Sequence, residues 1–122
     1  MECVNLKEKF AGFQDHWVPR VVAELNGQYV KVVKFAGEYV WHAHEHEDEM
    51  FLVVDGEFDL HFRDRVVTLT AGEFCVVPKG VEHRPVANRG VVQVVLFEPA
   101  TVRNTGEVNH GYTIEAGDLE RI

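Results

Sequence analysis

Histidines and acids are concentrated in one short stretch of the chain. Positions 42 to 49 read His-Ala-His-Glu-His-Glu-Asp-Glu, so three imidazoles and four carboxylates occupy eight positions. On an extended chain, His42 and His44 project from the same face because side chains alternate with a period of two. Glu49 opens the next apolar run, so its carboxylate can converge with the two imidazoles. The pattern indicates a transition-metal site, with a solvated acidic loop as the alternative.

A second stretch directs one further histidine. Residues 74–77 read Phe-Cys-Val-Val, which is typical of a strand, and Pro78-Lys79-Gly80 follows directly. Pro78 fixes its own φ angle, and Gly80 can adopt backbone conformations that other residues avoid. This turn therefore sets the direction in which His83 leaves the next strand. A lone histidine there would be interpreted as structural, but the cluster at 42–49 makes His83 a candidate fourth ligand.

The elements that must position these residues are almost all β-strands. One helix is predicted near the start, where Asn5 can cap it, Glu8 follows three residues later and Gly12 lies near its end. Alternating or apolar runs separated by turn residues predict strands at 21–25, 29–35, 39–44, 49–54, 57–62, 66–69, 73–77, 83–87 and 91–97. Asn26-Gly27 is the strongest hairpin signal. So many short strands at regular spacing predict an all-β antiparallel sandwich or barrel.

Size and charge limit the classes of function. The chain has 122 residues, enough for one domain with a core, and its formal net charge is −8. Its basic residues form no cluster, so we expect neither a nucleic-acid nor a membrane partner. Cys3 and Cys75 are expected to be reduced thiols, with Cys75 as a small core residue. The first residues do not resemble a secretory leader, so we expect a cytoplasmic protein.

The apolar strands also suggest an assembly. Residues 51–54 and 91–97 are apolar at nearly every position, which is typical of strands that are buried on both faces. In a chain this small, a second subunit could cover the outer face of the sheet. We therefore expect a homodimer.

The first motif resembles that of the cupin superfamily of small β-barrels. The family pattern is glycine, five residues, His-x-His, three or four residues, glutamate, six residues and glycine. His42, His44, Glu49 and Gly56 fit this spacing. Gly37 precedes His42 by a spacer of four residues, one fewer than the family pattern.

The second cupin motif is glycine, five residues, Pro-x-Gly, two residues, histidine, three residues and asparagine. Gly72, Pro78, Gly80 and His83 fit it without a gap, whereas Asn88 comes one residue late. The sequence most closely resembles small single-domain cupins of the mannose-6-phosphate isomerase-like (cupin 2 conserved barrel) type. The marks of that type are Trp41-His42-x-His44, Asp48-Glu49-x-Phe51-x-Val53, residues 77–83 and Asn104-Thr105-Gly106.

The resemblance implies a double-stranded β-helix, the cupin jelly-roll barrel, with a short N-terminal helix. Residues 1–18 would form the helix and a bridge, 19–103 the barrel and 104–122 a C-terminal tail, all within one domain. The implied metal ligands are His42, His44, Glu49 and His83. His46 is expected to lie at the rim, in the second shell or facing solvent.

The ligand set suits a divalent transition metal, such as Mn, Fe, Co, Ni, Cu or Zn, and disfavours Ca and Mg. Phe51 is expected to line the pocket beside Glu49, with Phe62 or Phe74 as further candidates. The function implied is that of a metalloenzyme of the isomerase, epimerase or dioxygenase type. Its substrate would be a polar small molecule such as a sugar or organic acid. A non-catalytic module that binds or senses a small ligand is the alternative, and a structural barrel with an adventitious metal is a third interpretation.

Overall fold

Tight turns divide the chain into short strands. The computed structural model describes residues 2–122. Asn26 and Gly27 both have positive φ, which is the backbone of the two-residue turn that joins antiparallel neighbours. The elements are α1 (Leu6–Ala11), β1 (Arg20–Leu25), β2 (Gln28–Glu38), β3 (Glu49–Asp55), β4 (Glu57–Phe62), β5 (Val66–Thr70), β6 (Phe74–Val77), β7 (His83–Pro99) and a final 3-10 turn (Ala116–Asp118).

The strands pair antiparallel, in the order β1-β2-β7-β3-β6, with β4 pairing with both β5 and β7. The long strand β7 belongs to both parts of the sheet. One part contains β4 and β5, and the other contains β1, β2, β3 and β6. Its first residues pair with β4, from His83 opposite Phe62 to Val86 opposite Asp59. Its later residues pair with β2 and β3. The predicted all-β antiparallel fold with a short N-terminal helix is therefore confirmed.

Two predicted boundaries are wrong. Residues 39–44 form no strand, and His42 makes only an isolated bridge with His83. The backbone of this segment instead forms hydrogen bonds with separate elements. The Tyr39 amide donates to the Pro85 carbonyl, and the His44 carbonyl accepts from the Gly80 amide. The predicted turn at 88–90 does not end a strand either. Strand β7 continues through it, and residues 88–91 fall in a register shift opposite β2.

The main core fills the space between the two parts of the sheet. Val33, Phe35, Phe51, Phe58 and Val94 are each at most 3% exposed and belong to one cluster. Inward positions alternate along β3, as the sequence pattern predicts. One end of this interior holds the polar site described below.

Helix α1 covers part of the outer face of the sheet. The Asn5 side chain accepts a hydrogen bond from the Glu8 amide at 3.1 Å, which caps the helix as predicted. Phe10 from the helix and the following Phe13 pack against Val32 and Val95. This outer face, which the apolar strands predict to be covered by a second subunit, is therefore partly buried within the chain itself.

The edge strand β6 keeps an exposed apolar surface. Phe74 is 63% exposed and Val76 is 52% exposed. The expectation that Phe74 might line the pocket is therefore wrong, because its side chain faces outward. Cys75 points to the opposite side of β6 and is half-buried beside the core. Cys75 and the exposed Cys3 are both free cysteines, with no disulfide bond. The homodimer stays a prediction.

Among the described residues, no helix has the length and apolar character to span a bilayer.

Candidate metal centre

Two histidines are held by the same local device. The backbones of His42 and His83 hydrogen-bond to each other in both directions. The N···O distance is 3.0 Å from the His42 amide and 2.9 Å from the His83 amide. In each residue, Nδ1 lies 2.9 Å from the carbonyl oxygen two positions earlier, that of Val40 or Val81. A carbonyl can only accept, so Nδ1 carries the proton in the neutral ring and donates it. This tautomer leaves both Nε2 atoms free to bind a cation.

The other two side chains complete the cluster. Glu49 is the first residue of β3, and its Oε1 lies 3.3 Å from Nε2 of His83 and 3.5 Å from Nε2 of His44. His42, His44, Glu49 and His83 each offer one ligand atom, and these atoms all lie within 4.8 Å of one another. Each of the four residues is at most 4% exposed. The structure therefore brings together the four residues that the sequence singled out.

His46 lies outside this cluster. Its side chain is 81% exposed and its nearest charged neighbour is Glu45, at 3.7 Å. Two residues after His44 the chain has already turned to the surface, so alternation no longer places the side chain inside. This position agrees with the expectation of a rim residue facing solvent.

Burial and charge set the protonation of the cluster. Burial, assisted by the neighbouring His83, lowers the pKa of His42 to about 4, so this imidazole is neutral near pH 7. Burial alone would raise the pKa of Glu49. The neighbouring Glu98, His44 and His83 side chains outweigh burial and hold that pKa well below its usual range. His42 is thus neutral and Glu49 is ionised, which are the protonation states that a metal requires of these ligands.

The donor set fits a transition metal. The buried Nε2 atom of His44 has no hydrogen-bond partner among the described residues. Leaving a buried polar atom unpaired costs free energy, and a cation at the centre of the cluster would remove that cost. Imidazole nitrogens with one carboxylate oxygen suit Mn, Fe, Co, Ni, Cu or Zn. The structure therefore supports a possible metal site without selecting the metal.

The turn before His83 has a second role. The Gly80 amide donates to the His44 carbonyl at 2.8 Å, and the Lys79 amide donates to Oδ1 of Asp48, also at 2.8 Å. The turn therefore holds the loop between the ligands as well as directing His83. Asp48, one of the acidic residues of the loop, thus has a structural role as a hydrogen-bond acceptor for the turn.

A turn in the C-terminal tail lies directly against the histidine pair. Gly106 has φ of +59°, and a Cβ atom placed on it would lie 2.1 Å from the carbonyl oxygen of Ala43. Ala43 separates His42 from His44. The preceding Thr105 is fully buried, and its hydroxyl donates to the Val108 carbonyl at 2.7 Å. The sequence motif Asn104-Thr105-Gly106 gave a turn here but no sign that it would contact the site.

We expect Gly106→Ala to lower metal affinity about tenfold, although Gly106 offers no ligand atom. The added methyl group must push Ala43 or the tail away, and a shift at Ala43 moves both neighbouring imidazoles. Changes at residues that orient ligands typically cost 10- to 100-fold in metal affinity. Competition of each protein with a chromophoric chelator for Zn²⁺ measures the change.

The control for this substitution is Gly27→Ala. Gly27 also has a positive φ, of +77°, but a Cβ there would meet nothing within 4 Å. Gly27→Ala therefore introduces the same unfavourable positive φ for a non-glycine residue, but no steric clash. Equal affinities for the two variants would show that contact with Ala43 does not position the histidines.

A buried ion pair adjoins the cluster. Nζ of Lys31 lies 2.7 Å from Oε1 of Glu98, and the two side chains are 1% and 2% exposed. The Glu98 carboxyl also adjoins that of Glu49. Burial, together with the negative charge of Glu49, raises the pKa of Glu98 well above its usual range. The pair is not apparent from the sequence, where Lys31 is one of two lysines in the mostly apolar strand β2.

Comparison with known proteins places this geometry in context. A family model described as a cupin domain matches residues 29–98. The Bacillus subtilis (strain 168) protein called uncharacterized protein YdbB is 38% identical over 81 residues, which cover 66% of each chain. Helix α1, strand β1 and the whole tail, including Gly106, lie outside the family match.

Two solved structures have the same fold at substantial identity. One is a cupin-2 domain containing protein from Shewanella frigidimarina, which is 47% identical, has a TM-score of 0.77 and covers 79% of this chain and 93% of its own. The other is NMB1881 from Neisseria meningitidis, with 34% identity, a TM-score of 0.74 and coverage of 80% and 99%.

Proposed function

Because the chain belongs to the cupin family, we propose that it is a metal-dependent enzyme acting on a polar small molecule such as a sugar or organic acid. The proposed ligands of its divalent transition metal are His42, His44, Glu49 and His83. The reaction classes that suit such a centre are isomerisation, epimerisation and dioxygenation. The mannose-6-phosphate isomerase-like resemblance contributes the isomerase class and no substrate.

The observation that carries this proposal is the convergence of four buried ligand atoms within 4.8 Å. A buried cluster of three imidazoles and a carboxylate has little structural purpose by itself, because apolar residues would fill the space at lower cost. The unpaired Nε2 of His44 indicates that something else belongs there. Four protein ligands on a six-coordinate ion leave two positions for water or substrate.

The residues around the cluster have defined tasks in this proposal. The carbonyls of Val40 and Val81 fix the tautomers of His42 and His83. The buried aromatic ring of Phe51, whose centroid is 5.8 Å from that of His83, helps to exclude water. A metal bound here would act as a Lewis acid on a substrate oxygen.

Elemental analysis tests the proposal directly. Protein purified without added metal should contain close to one equivalent of Mn, Fe, Co, Ni, Cu or Zn per chain. Chelation should lower the melting temperature, because an ion that binds only the folded state stabilises it. Iron calls for an O₂-uptake assay, and zinc or manganese for an isomerase assay. Sub-stoichiometric metal whose removal leaves the melting temperature unchanged would contradict the proposal.

The exposed apolar edge of β6 supports the further proposal of a homodimer. Phe74 and Val76 are large side chains whose exposure costs free energy in a monomer. Light scattering on the purified protein should give twice the chain mass of 13.9 kDa. A cytoplasmic location remains a proposal that rests on sequence alone.

A further inference from the structure

Within residues 2–122, the candidate metal centre is enclosed. Its four residues are at most 4% exposed. The space beside His42 and Glu49 is about 30 Å³, which has room for about one or two water molecules. A substrate that is to reach the proposed metal therefore needs part of the structure to move.

Residues 103–115 of the tail, which we call the flap, lie between this inner space and the outside. Asn104 lines the inner space, whereas Glu107 and Val108 line an outer groove of about 380 Å³. His42 lines both spaces. The groove has the volume of a small-molecule site, and displacement of the flap would join it to the inner space at His42.

The flap is folded largely by its own hydrogen bonds. Nε of Arg103 donates to the carboxylate of Glu115 at 2.9 Å. The Asn104 side chain donates to the Tyr112 carbonyl and accepts from the Ile114 amide, both at 2.8 Å. A surface loop that is packed by its own side chains in this way can move as one unit.

Few contacts attach the flap to the barrel. Among the described residues, one hydrogen bond joins them, from the Tyr39 hydroxyl to the Asn104 carbonyl at 3.3 Å. The ring of Tyr112 stacks on that of Tyr39, with 5.5 Å between centroids and 7° between planes, although Tyr112 is 37% exposed. Gly106 also contacts Ala43. Segments with so few buried apolar contacts open locally at low free-energy cost.

The chain on both sides of the flap is anchored. Val102, directly before it, is 1% exposed. Beyond it, the Val21 amide of β1 donates to the Glu120 carbonyl at 2.9 Å, and the Ile122 amide donates to the Val21 carbonyl at 3.0 Å. Both ends therefore stay on the barrel when the flap moves.

We propose that the flap is a lid over the candidate metal centre, held closed by the stacking of Tyr112 on Tyr39. Its opening admits a small molecule from the outer groove to His42. The opening is a property of the chain with or without a metal. Its role in substrate entry rests on the proposed function.

Diethyl pyrocarbonate, which acylates uncharged imidazole nitrogens, tests the opening in metal-free protein. Mass spectrometry gives the rate of modification of each histidine, and the exposed His46 reports the activity of the reagent in the same sample. In wild-type protein, 1 M urea should change the rate at His42 by less than about twofold, because local opening exposes little surface. If access required global unfolding, urea would raise that rate at least about fivefold, and the lid would be overturned.

Three variants test what holds the lid closed. Tyr112→Leu removes the stacked ring but keeps an apolar side chain over Tyr39, and it should speed modification of His42 about tenfold. Tyr112→Phe keeps the ring, so it is the matched control and should react within about twofold of the wild-type rate. Arg103→Met loosens the flap from within and leaves Tyr112 in place. It should speed modification of His42 at least about threefold.

Equal rates at His42 in wild-type and Tyr112→Leu protein would overturn the lid. Acceleration in Tyr112→Leu but not in Arg103→Met would also overturn it, because the smaller side chain would then simply have left a gap.

Metal exchange separates the lid from the proposed function. Tyr112→Leu should speed uptake and release of Zn²⁺ by the same factor and leave the dissociation constant unchanged, because a lid alters access and not the ligands. A changed dissociation constant with an unchanged uptake rate would assign Tyr112 to positioning the ligands and overturn the lid. Wild-type protein that takes up no metal would overturn the proposed function, whereas the modification rates would still decide whether the flap opens.

Discussion

His42→Ala protein should bind metal at least about 100-fold more weakly than wild-type protein and should purify with almost none. The substitution removes one of four buried ligand atoms that lie within 4.8 Å of one another. Loss of a residue that merely orients a ligand costs 10- to 100-fold, so loss of a ligand should reach or exceed the upper value. The Zn²⁺ affinity from chelator competition and the visible spectrum of the Co²⁺-loaded protein both report this change.

His46→Ala is the matched control for that experiment. His46 is the same residue type, four positions away in the same acidic stretch, but its side chain is 81% exposed. The control should keep wild-type affinity within about twofold, since no described contact links His46 to the cluster. If both variants lost affinity equally, the metal would be held by the acidic loop and not by the buried cluster. Circular dichroism of both proteins verifies that the strands remain.

The candidate site was predictable because its information is local. His42 and His44 share one face of a short segment, and Glu49 begins an apolar strand whose inward positions alternate. Pro78 and Gly80 restrict the backbone in front of His83. Each signal depends on neighbours within a few residues, and the resemblance to cupins joined the two motifs. The turns that set the strand pairing could be predicted for the same reason.

Long-range contacts could not be predicted in this way. The contact between Gly106 and Ala43 joins positions 63 apart, and the pairing of Lys31 with Glu98 joins positions 67 apart. A lysine in an apolar strand is usually placed at the surface, and only the fold shows that Lys31 points inward. The wrong strand at 39–44 has a related cause, because its hydrogen-bonding partners lie on the distant residues Gly80, His83 and Pro85.

Lys31→Met should destabilise the protein by about 3–5 kcal/mol, the usual effect of removing one partner from a buried ion pair. The substitution leaves Glu98 buried beside Glu49 with its hydrogen-bonding cation gone, while the apolar side chain fills the space of the lysine. Urea denaturation of metal-free protein measures the free energy of unfolding, so that metal binding does not contribute. The midpoint should fall while the slope stays the same.

Two further variants establish that the cost comes from the uncompensated carboxyl group. Lys31→Met/Glu98→Met removes both partners, and well-packed apolar replacements of buried pairs are often neutral, so it should recover most of the lost stability. Arg121→Met breaks an exposed contact with Glu24, at 3.3 Å, and should cost less than about 1 kcal/mol. If the double variant were as unstable as Lys31→Met, the loss would come from packing around residue 31. The ion pair would then make no electrostatic contribution to stability.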